Sequence, residues 1–144
     1  MLVHQILKSK SDDAVVTVKP GAMVSEAVGI LAERKIGTVV ISKDGHKADG
    51  ILSERDIVRE LGKRGAGCLQ EKVAGLMTAK LVTCTPQDSA DAVLEMMTKG
   101  RFRHLPVMDG GTMIGLISIG DVVKARLAEL AMEKDALQGM IMGH

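Results

Sequence analysis

Residues 50–56 read GILSERD, and residues 115–121 read GLISIGD. Both heptapeptides place glycine, serine and aspartate at the same spacing, Gly-x-x-Ser-x-x-Asp. In both copies a Thr-x-x-Pro segment, a helical stretch and an apolar strand precede the heptapeptide in the same order, with Thr-x-x-Pro at residues 17–20 and 83–86. A duplicated order of motifs indicates two folding units that bury a face on each other. The sequence therefore predicts a tandem repeat with two pseudo-symmetric clefts.

Apolar spacing marks one helix near the start of each repeat. Apolar residues recur every three to four positions over residues 24–31 and again over residues 90–97, which predicts two amphipathic helices. Gly37 and Gly100 lie at or just beyond the ends of these stretches, where glycine adopts the left-handed conformation without a steric penalty. We therefore expect glycine to terminate each helix.

Short strands follow each of these helices. Residues 38–41 and 105–108 are apolar, and a glycine-containing turn connects each run to a second one, residues 50–52 and 113–117. Pro106 has no amide hydrogen to donate to a strand ladder, so we expect it at a sheet edge or facing a cleft. Two short apolar turns, residues 3–7 and 73–77, are predicted to precede the repeats.

The last helix of each repeat begins after the serine of the heptapeptide. In the first copy we expect it to end near Leu61, because Gly62 interrupts it. In the second copy nothing stops the helix before Gly139, so it can reach about 30 Å, more than one unit needs. An apolar seam runs along this helix and is interrupted by Lys134. The seam residues are Val123, Leu127, Leu130, Leu137 and Ile141. The seam is either a stripe packed into the core or a surface that meets another subunit.

The composition argues against several classes of function. The 144 residues are 46% hydrophobic and carry 19 basic and 18 acidic side chains, so no broad electrostatic field draws the chain to nucleic acid or to an anionic membrane. One Phe, with no Tyr or Trp, leaves no set of aromatic platforms for stacking single-stranded bases. Neither a signal sequence nor an apolar run of roughly 20 residues is present. Two cysteines outside any CxxC pair fit a reducing compartment, so we expect a soluble, cytoplasmic protein.

The two heptapeptides admit two interpretations. In the first, Ser53 and Ser118 cap the helices that follow, while Asp56 and Asp121 reach back to the serine amide in a capping box. In the second, the strand-to-helix corner presents free N–H groups to an anion and the carboxylate accepts two ribose hydroxyls. An aspartate cannot serve fully in both roles, and the residues alone leave both open.

A basic cluster precedes the second strand of the second copy. On an extended strand Arg101 and Arg103 share one face and His104 lies on the other. Two guanidinium groups near a helix N-terminus can hold a phosphate. Alternatively, the two arginines form a solvated edge and pair with Asp109 or Glu95.

The first copy carries less charge at the matching positions, which are Lys35, Gly37 and Thr38. Arg55, inside the first heptapeptide, partly restores a cation there. The two sites are therefore not equivalent, and we expect one to be richer in phosphate contacts than the other.

The motif order Thr-x-x-Pro, helix, Arg-His-Leu-Pro-Val at residues 103–107, glycine turn and Gly-x-x-Ser-x-x-Asp resembles the cystathionine-beta-synthase (CBS) domain. The tandem pair resembles a Bateman module and covers nearly the whole chain. The resemblance implies an α/β (α+β) fold of two β-α-β-β-α units, residues 1–67 and 68–144, packed pseudo-symmetrically through their sheets. It also implies a regulatory ligand in the clefts, an adenine nucleotide (AMP, ADP, ATP or NAD(H)) or S-adenosylmethionine, and no catalytic cofactor.

Matched position by position, the resemblance assigns ribose binding to Asp56 and Asp121 and the adenine pocket to Thr17 and Thr83. It assigns phosphate contacts to four residues, Ser53, Ser118, Arg103 and His104. With their neighbours, the candidate ligand-binding residues are Thr17, Lys35, Gly37, Thr38, Ser53, Arg55, Asp56, Thr83, Arg101, Arg103, His104, Pro106, Ser118 and Asp121.

The leading hypothesis is a regulatory module that binds an adenine nucleotide without catalysis of its own, and an enzyme and a protein-interaction module are the alternatives. An enzyme would need a nucleophile and base or a metal cluster, and the four histidines show no ligand spacing with each other or with the cysteines: His4, His46, His104 and His144. A protein-interaction module with vestigial clefts would use the methionine-rich long helix for docking. We expect a homodimer through that helix, an effector protein as partner, and neither nucleic acid nor membrane.

Overall fold

The structure is a computed structural model that describes residues 1–10 and 15–141. Before and within the first repeat lie α1 (Val3–Ser9), β1 (Thr17–Val18), α2 (Val24–Arg34), β2 (Thr38–Ile41), β3 (Gly50–Ser53) and α3 (Glu54–Arg64). A short 3-10 helix (Ala66–Gln70) and α4 (Val73–Leu76) connect it to the second repeat. The second repeat contains α5 (Ala90–Gly100), β4 (His104–Asp109), β5 (Thr112–Ser118) and α6 (Ile119–Ile141).

The first repeat forms a three-stranded sheet in the order β1-β2-β3. Strand β1 runs parallel to β2, and β2 runs antiparallel to β3, with Thr38 opposite Ser53. The second repeat pairs β4 with β5, and a single parallel bridge between Cys84 and Val107 replaces the first strand. The mixed α/β class is confirmed. The β-α-β-β-α order is complete in the first repeat and shortened at its first strand in the second.

The apolar strands and the apolar faces of the helices fill the two cores. In the first repeat α2 buries Val24, Ala27 and Leu31, and they join a buried cluster that contains Val39 and Leu52. The second repeat repeats this arrangement with side chains from α5, β4 and β5: Ala90, Val93, Met97, Leu105, Val107 and Ile117. The predicted amphipathic helices over residues 24–31 and 90–97 are confirmed.

The segments before each repeat are short helices rather than turns. Their backbone N–H groups donate to carbonyls within the segment and to carbonyls of another segment of the same chain. Helix α1 precedes the first repeat but packs with the second, where the Val3 N–H donates to the Asp88 carbonyl at 2.9 Å. Helix α4 precedes the second repeat but packs with the first, where the Val73 N–H donates to the Ala22 carbonyl at 2.8 Å. The repeats thus exchange their leading helices.

This exchange is reflected in the compact units of the described chain. One unit comprises residues 1–10, 83–108 and 115–141, and the other comprises residues 15–82 and 109–114. The predicted division into residues 1–67 and 68–144 concerns the repeat along the chain, and as a division into domains it stays a prediction.

Gly100 is the last residue of α5 and Gly37 lies shortly after α2, as predicted, but glycine is not the left-handed residue at either helix end. The left-handed residues are Lys35 (φ 55°) and Arg101 (φ 59°), at matching positions of the two repeats. The next residue closes the helix each time: the Ile36 N–H donates to the Leu31 carbonyl, and the Phe102 N–H donates to the Met97 carbonyl. The left-handed residues themselves donate to the same two carbonyls, Lys35 to Leu31 and Arg101 to Met97. The bond from the following residue is the six-to-one bond of a Schellman motif, which holds a non-glycine residue in the left-handed region here.

Two further helix ends differ from prediction. Helix α3 continues through Gly62 to Arg64, whose guanidinium pairs with Glu60 and Glu71, and the chain turns only at Gly65, where φ is 76°. Helix α6 likewise continues through Gly139. A glycine inside a helix costs only about 1 kcal/mol relative to alanine, so neighbouring contacts can override it. None of the described helices is long and apolar enough to cross a membrane.

The seam of α6 is not part of a core. Within this helix the buried side chains are Val122 and Ala125. The five seam residues are exposed by 42–75%: Val123, Leu127, Leu130, Leu137 and Ile141. The interpretation of the seam as a core stripe is therefore wrong, because α6 packs against α5 and α1 with other residues and leaves its apolar seam exposed.

Candidate ligand-binding site

The corner of the second repeat forms where β5 passes into α6. The Asp121 N–H donates to Ser118 Oγ at 3.1 Å, and the Ser118 N–H donates to Asp121 Oδ2 at 2.9 Å. The residue just before β4 closes the corner, since the Ile119 N–H donates to the Arg103 carbonyl at 2.8 Å. Serine, aspartate and the Arg103 backbone therefore satisfy three of the amides at this helix start.

The corner of the first repeat has the same construction. The Asp56 N–H donates to Ser53 Oγ at 3.2 Å, and the Ser53 N–H donates to Asp56 Oδ2 at 3.0 Å. The Glu54 N–H donates to the Gly37 carbonyl at 2.9 Å, which matches the Arg103 contact in the second repeat. The capping interpretation is confirmed at both corners, and the ribose-binding roles of the two aspartates stay predictions.

The two aspartates differ in the cation that each one meets. Asp121 Oδ2 lies 3.0 Å from Lys10 Nζ, whereas Asp56 Oδ1 lies 2.9 Å from Arg59 Nη2 on its own helix. Burial alone would raise the pKa of Asp121, but the Ser118 amide and the Lys10 ammonium outweigh it, so the pKa lies below the ordinary carboxyl value. The Asp121 contribution to stability is thus present at neutral pH and is lost as the pH falls through this lowered pKa.

A cavity of about 410 Å³ opens beside the Asp121 corner. It lies between α1 and α6, and its lining includes Ile6, Ser9, Lys10, Asp121, Lys124 and Ala125. We call it the α1–α6 cavity. Its volume falls in the range of small-molecule sites, roughly 300–1,000 Å³, and its lining combines aliphatic walls with two ammonium groups and one carboxylate.

The basic cluster is arranged differently from the prediction. Arg101 and Arg103 do not share a strand face, because α5 extends to Gly100, Arg101 is its left-handed cap, and β4 begins only at His104. Both arginine side chains are exposed. The predicted pairing of Glu95 with these arginines is also wrong, since Glu95 Oε1 lies 2.8 Å from the ammonium of Lys99, one turn along the same helix.

The remaining candidates of the first repeat lie around its corner. Thr17 is half-buried and pairs with Val40 in the sheet, and Thr38 is buried opposite Ser53. Lys35 caps the end of α2 and Arg55 lies in the first turn of α3, and both residues are exposed. Thr38 and Ser53 are therefore brought together, while the two cations point to solvent.

The remaining candidates of the second repeat are spread along β4 and the segment beside it. His104 is half-buried at the start of β4. Pro106 is buried, and its carbonyl accepts a hydrogen bond from the Cys84 N–H at 3.0 Å. Thr83 is exposed immediately before that cysteine. The ligand contacts predicted for these residues stay predictions.

Lys10 and Lys124 were missed by the motif analysis. Lys124 lies one turn after Asp121, a spacing that places both on one side of a helix, so its proximity was readable. Lys10 was harder to find, because its position depends on α1 packing with the second repeat. The available signal was the match of residues 3–7 with residues 73–77, which makes Lys10 the counterpart of Lys80.

Among the described residues no group of three or more histidine, cysteine, aspartate or glutamate side chains is placed to hold a metal ion. His144, one of the four histidines considered as ligands, lies outside the described residues. Cys68 and Cys84 are both buried and unpaired by a disulfide. Burial raises the pKa of the Cys84 thiol to about 12, with the charge of Asp88 contributing, so the thiolate needed of a nucleophile is scarce at neutral pH.

We expect Cys84 to resist a thiol reagent such as dithionitrobenzoate in the folded protein at pH 8, because the reagent needs an accessible thiolate. In a Cys68→Ser variant the absorbance change reports the reaction of Cys84 alone. Absorbance should stay flat until denaturant is added and then rise to one thiol per chain. Stoichiometric reaction of the folded variant within the mixing time would contradict this prediction.

Comparison with known proteins bears directly on these paired corners. A family model for the CBS domain matches residues 7–63 and 73–128. The chain belongs to the CBS domain family. Its two matched domains stand in tandem, as in a Bateman module, and together cover most of the chain.

Relatives and solved structures share nearly the full length of this CBS pair. The mitochondrial CBS domain-containing protein CBSX3 of Arabidopsis thaliana is 33% identical over 98% of this chain and 72% of its own length. A CBS-domain protein from Agrobacterium tumefaciens is 43% identical, with a TM-score of 0.82 over 87% of this chain and 92% of that one. The structure of a protein with CBS domains from Burkholderia ambifaria, assigned to signal transduction in its description, is 41% identical. Its TM-score is 0.83 over 89% of this chain and 95% of that one. The structure of CBSX2 in complex with AMP is 26% identical, with a TM-score of 0.72 over 88% and 96%.

Proposed function

We propose that this CBS pair is a regulatory module that binds an adenine nucleotide at its serine–aspartate corners and has no catalysis of its own. The observation that carries the proposal is the duplicated corner. Each repeat ends a strand with serine, begins a helix, and holds an aspartate one turn in, with its carboxylate at the helix start. Such a corner combines helix amides that favour an anion with an acceptor for ribose hydroxyls.

The choice of ligand class rests on two supports. CBSX2, a CBS protein of the same fold and 26% identity, was solved with AMP. The α1–α6 cavity adds two lysines beside the Asp121 carboxylate, a combination that suits a sugar bearing phosphate. ADP, ATP and NAD(H) share the same adenosine and phosphate groups and are included in the proposal. S-adenosylmethionine is the alternative ligand, since it shares the adenosine but carries a sulfonium in place of phosphate.

Isothermal titration calorimetry tests the proposal, with AMP, ADP, ATP, NADH and S-adenosylmethionine titrated in turn into the full chain. We expect saturable heat with at least one adenosine phosphate and a rise in thermal midpoint, because a ligand that binds only the folded state stabilises it. Absence of heat and of any thermal shift with all five compounds, at concentrations well above about 1 mM, would reject the function. Incubation with ATP, followed by chromatography for ADP and AMP, separates a binding module from a hydrolase.

We also propose that the chain forms a homodimer through the exposed seam of α6. With the position of Lys134 included, the seam recurs at alternating spacings of four and three, which is the pattern of a helix that pairs with another helix. A row of apolar side chains exposed by 42–75% is larger than a single scattered hydrophobic residue and marks an interaction surface. A second copy of this chain supplies the same seam and is therefore the proposed occupant.

Replacing Leu130 and Leu137 together with glutamate is expected to convert a dimer to a monomer, because the charges would face each other across the seam. Both side chains are exposed in the single chain, so helix content and thermal midpoint should change little. Size-exclusion chromatography with light scattering measures the mass. Ala136→Glu, exposed on another face of the same helix, is the matched control and should remain dimeric. A monomeric parent protein would contradict the proposal.

The regulated partner is proposed to be a separate effector protein that responds to nucleotide occupancy. The cytoplasmic location is likewise a proposal, supported by two buried cysteines that form no disulfide. A pull-down from cell extract with and without AMP tests whether an effector protein responds to nucleotide occupancy. A partner that is recovered equally in both conditions would favour the alternative, an interaction module with vestigial sites.

A further inference from the structure

Lys10 is bound at the Asp121 corner by two acceptors. Its ammonium donates to the Leu116 carbonyl at 2.9 Å and lies 3.0 Å from Asp121 Oδ2. Both ionic side chains are largely covered, with the Lys10 side chain 25% exposed and that of Asp121 23% exposed. Lys10 directly follows α1, which is fastened to the second repeat by backbone hydrogen bonds, so the ammonium is delivered to the corner by a fixed element.

The contact with Lys10 competes with a sugar. Asp121 Oδ2 already accepts the Ser118 N–H at 2.9 Å, and the ammonium occupies its remaining acceptor capacity. A ribose that donates one hydroxyl to each carboxylate oxygen needs that capacity on Oδ2, so Lys10 must release Oδ2 when a ligand binds in this way. The released ammonium is still half-buried beside the Leu116 carbonyl, and a covered charge without an anionic partner is unfavourable.

A phosphate group on the ligand gives the released ammonium a new partner, whereas a neutral nucleoside gives it none and a sulfonium repels it. Lys124 lines the same cavity and adds a second positive charge on the side of α6 that carries Asp121. With two lysines and one aspartate, the lining favours an anion over a neutral or cationic ligand of the same shape.

We propose that Lys10 is the specificity-determining residue of the Asp121 corner: it is held by the carboxylate when the corner is empty and transfers to the ligand phosphate when ribose takes the carboxylate. Lys10 thereby selects adenosine phosphates over adenosine and over S-adenosylmethionine. This inference rests on the proposed nucleotide-binding function and adds to it the chemical basis of the choice.

The first repeat provides the internal contrast. Asp56 gives one oxygen to its cap and the other to Arg59, a cation of its own helix. Lys80, the counterpart of Lys10, is exposed and forms no ion pair with the residues that the structure describes. A charge change at Lys80 therefore leaves the Asp121 corner as it is.

The test compares the dissociation constants of adenosine and AMP, whose ratio isolates the phosphate. In Lys10→Met we expect AMP to bind more weakly and adenosine as well or better, lowering the preference for AMP by about tenfold, the size of one charge-assisted hydrogen bond. The preference for AMP over S-adenosylmethionine should fall in the same direction. Lys10→Arg, which keeps the charge, and Lys80→Met, the matched lysine of the first repeat, should keep the parent ratio.

The outcomes separate this inference from the function on which it rests. If Lys10→Met binds AMP with the parent preference over adenosine, Lys10 is not the selecting residue, while nucleotide binding stands. If the parent chain binds neither compound, the nucleotide function fails and the inference falls with it. Circular dichroism and thermal unfolding check that each variant folds. Lys10→Gln, which can still donate to the Leu116 carbonyl but lacks the charge, gives a second neutral reading should Lys10→Met be unstable, and a parent-like ratio in it also overturns the inference.

Discussion

Replacing Asp121 with alanine is expected to weaken AMP binding by about 1.5–3 kcal/mol, because the ribose hydroxyls lose a charged acceptor. Asp121 also receives the Ser118 amide, so the same change removes part of the cap of α6 and lowers folding stability by about 0.5–2 kcal/mol. The two effects are measured separately, the first by calorimetric titration of the folded variant and the second by urea unfolding.

Asp56→Ala is the matched variant, since Asp56 holds the same place in the first repeat and caps α3 in the same way. It should produce a similar loss of stability. If AMP binds at the cavity-bearing corner, Asp56→Ala should leave the titration curve of that site in place. An affinity that survives both replacements would show that neither carboxylate holds the ribose, and the assignment of both corners would be withdrawn.

Much of the fold could be predicted from the sequence because the same order of motifs occurs twice in the chain. The apolar spacing of α2 and α5, the strands that follow, and the Ser–Asp corners depend on contacts close in sequence, and each copy supports the reading of the other. Helix ends were less readable. Lys35 and Arg101 take the left-handed position because the following apolar residue completes a Schellman closure, and that choice is made by packing and not by glycine content.

The corners were predictable as local structure, and the charges around them were not. The Ser118–Asp121 contact spans three residues, whereas the Lys10–Asp121 contact joins residues at opposite ends of the chain. It arises only because α1 packs with the second repeat. The arginines illustrate the opposite error, since the predicted strand extends back over residues 101–103, whereas Arg101 caps α5 and β4 begins only at His104. The packing of α1 with the second repeat and the exact end of α5 are therefore known only from the three-dimensional structure.

Truncating Leu52 to alanine is expected to lower the free energy of unfolding by about 2–5 kcal/mol, and Ile117→Ala, its counterpart in the second repeat, by a similar amount. Both side chains are fully buried, at 0% exposure, on the last strand before a corner. Leu52 packs in the cluster that contains Val39 and Ile57, so its removal leaves a cavity that rigid neighbouring strands cannot close. Urea unfolding followed by circular dichroism measures both changes.

The control is Leu127→Ala, which removes the same atoms from a side chain that is 62% exposed on α6. In a monomeric sample it should change the free energy of unfolding by no more than about 0.5 kcal/mol. Because a whole domain is stabilised by only about 5–15 kcal/mol, either buried truncation should remove a large part of the total and shift the midpoint clearly. A decrease in the free energy of unfolding below about 1 kcal/mol for both Leu52→Ala and Ile117→Ala would mean that the strands leading into the two corners are not tightly packed in the core. A large loss for one alone would identify the repeat that carries the stability of the chain.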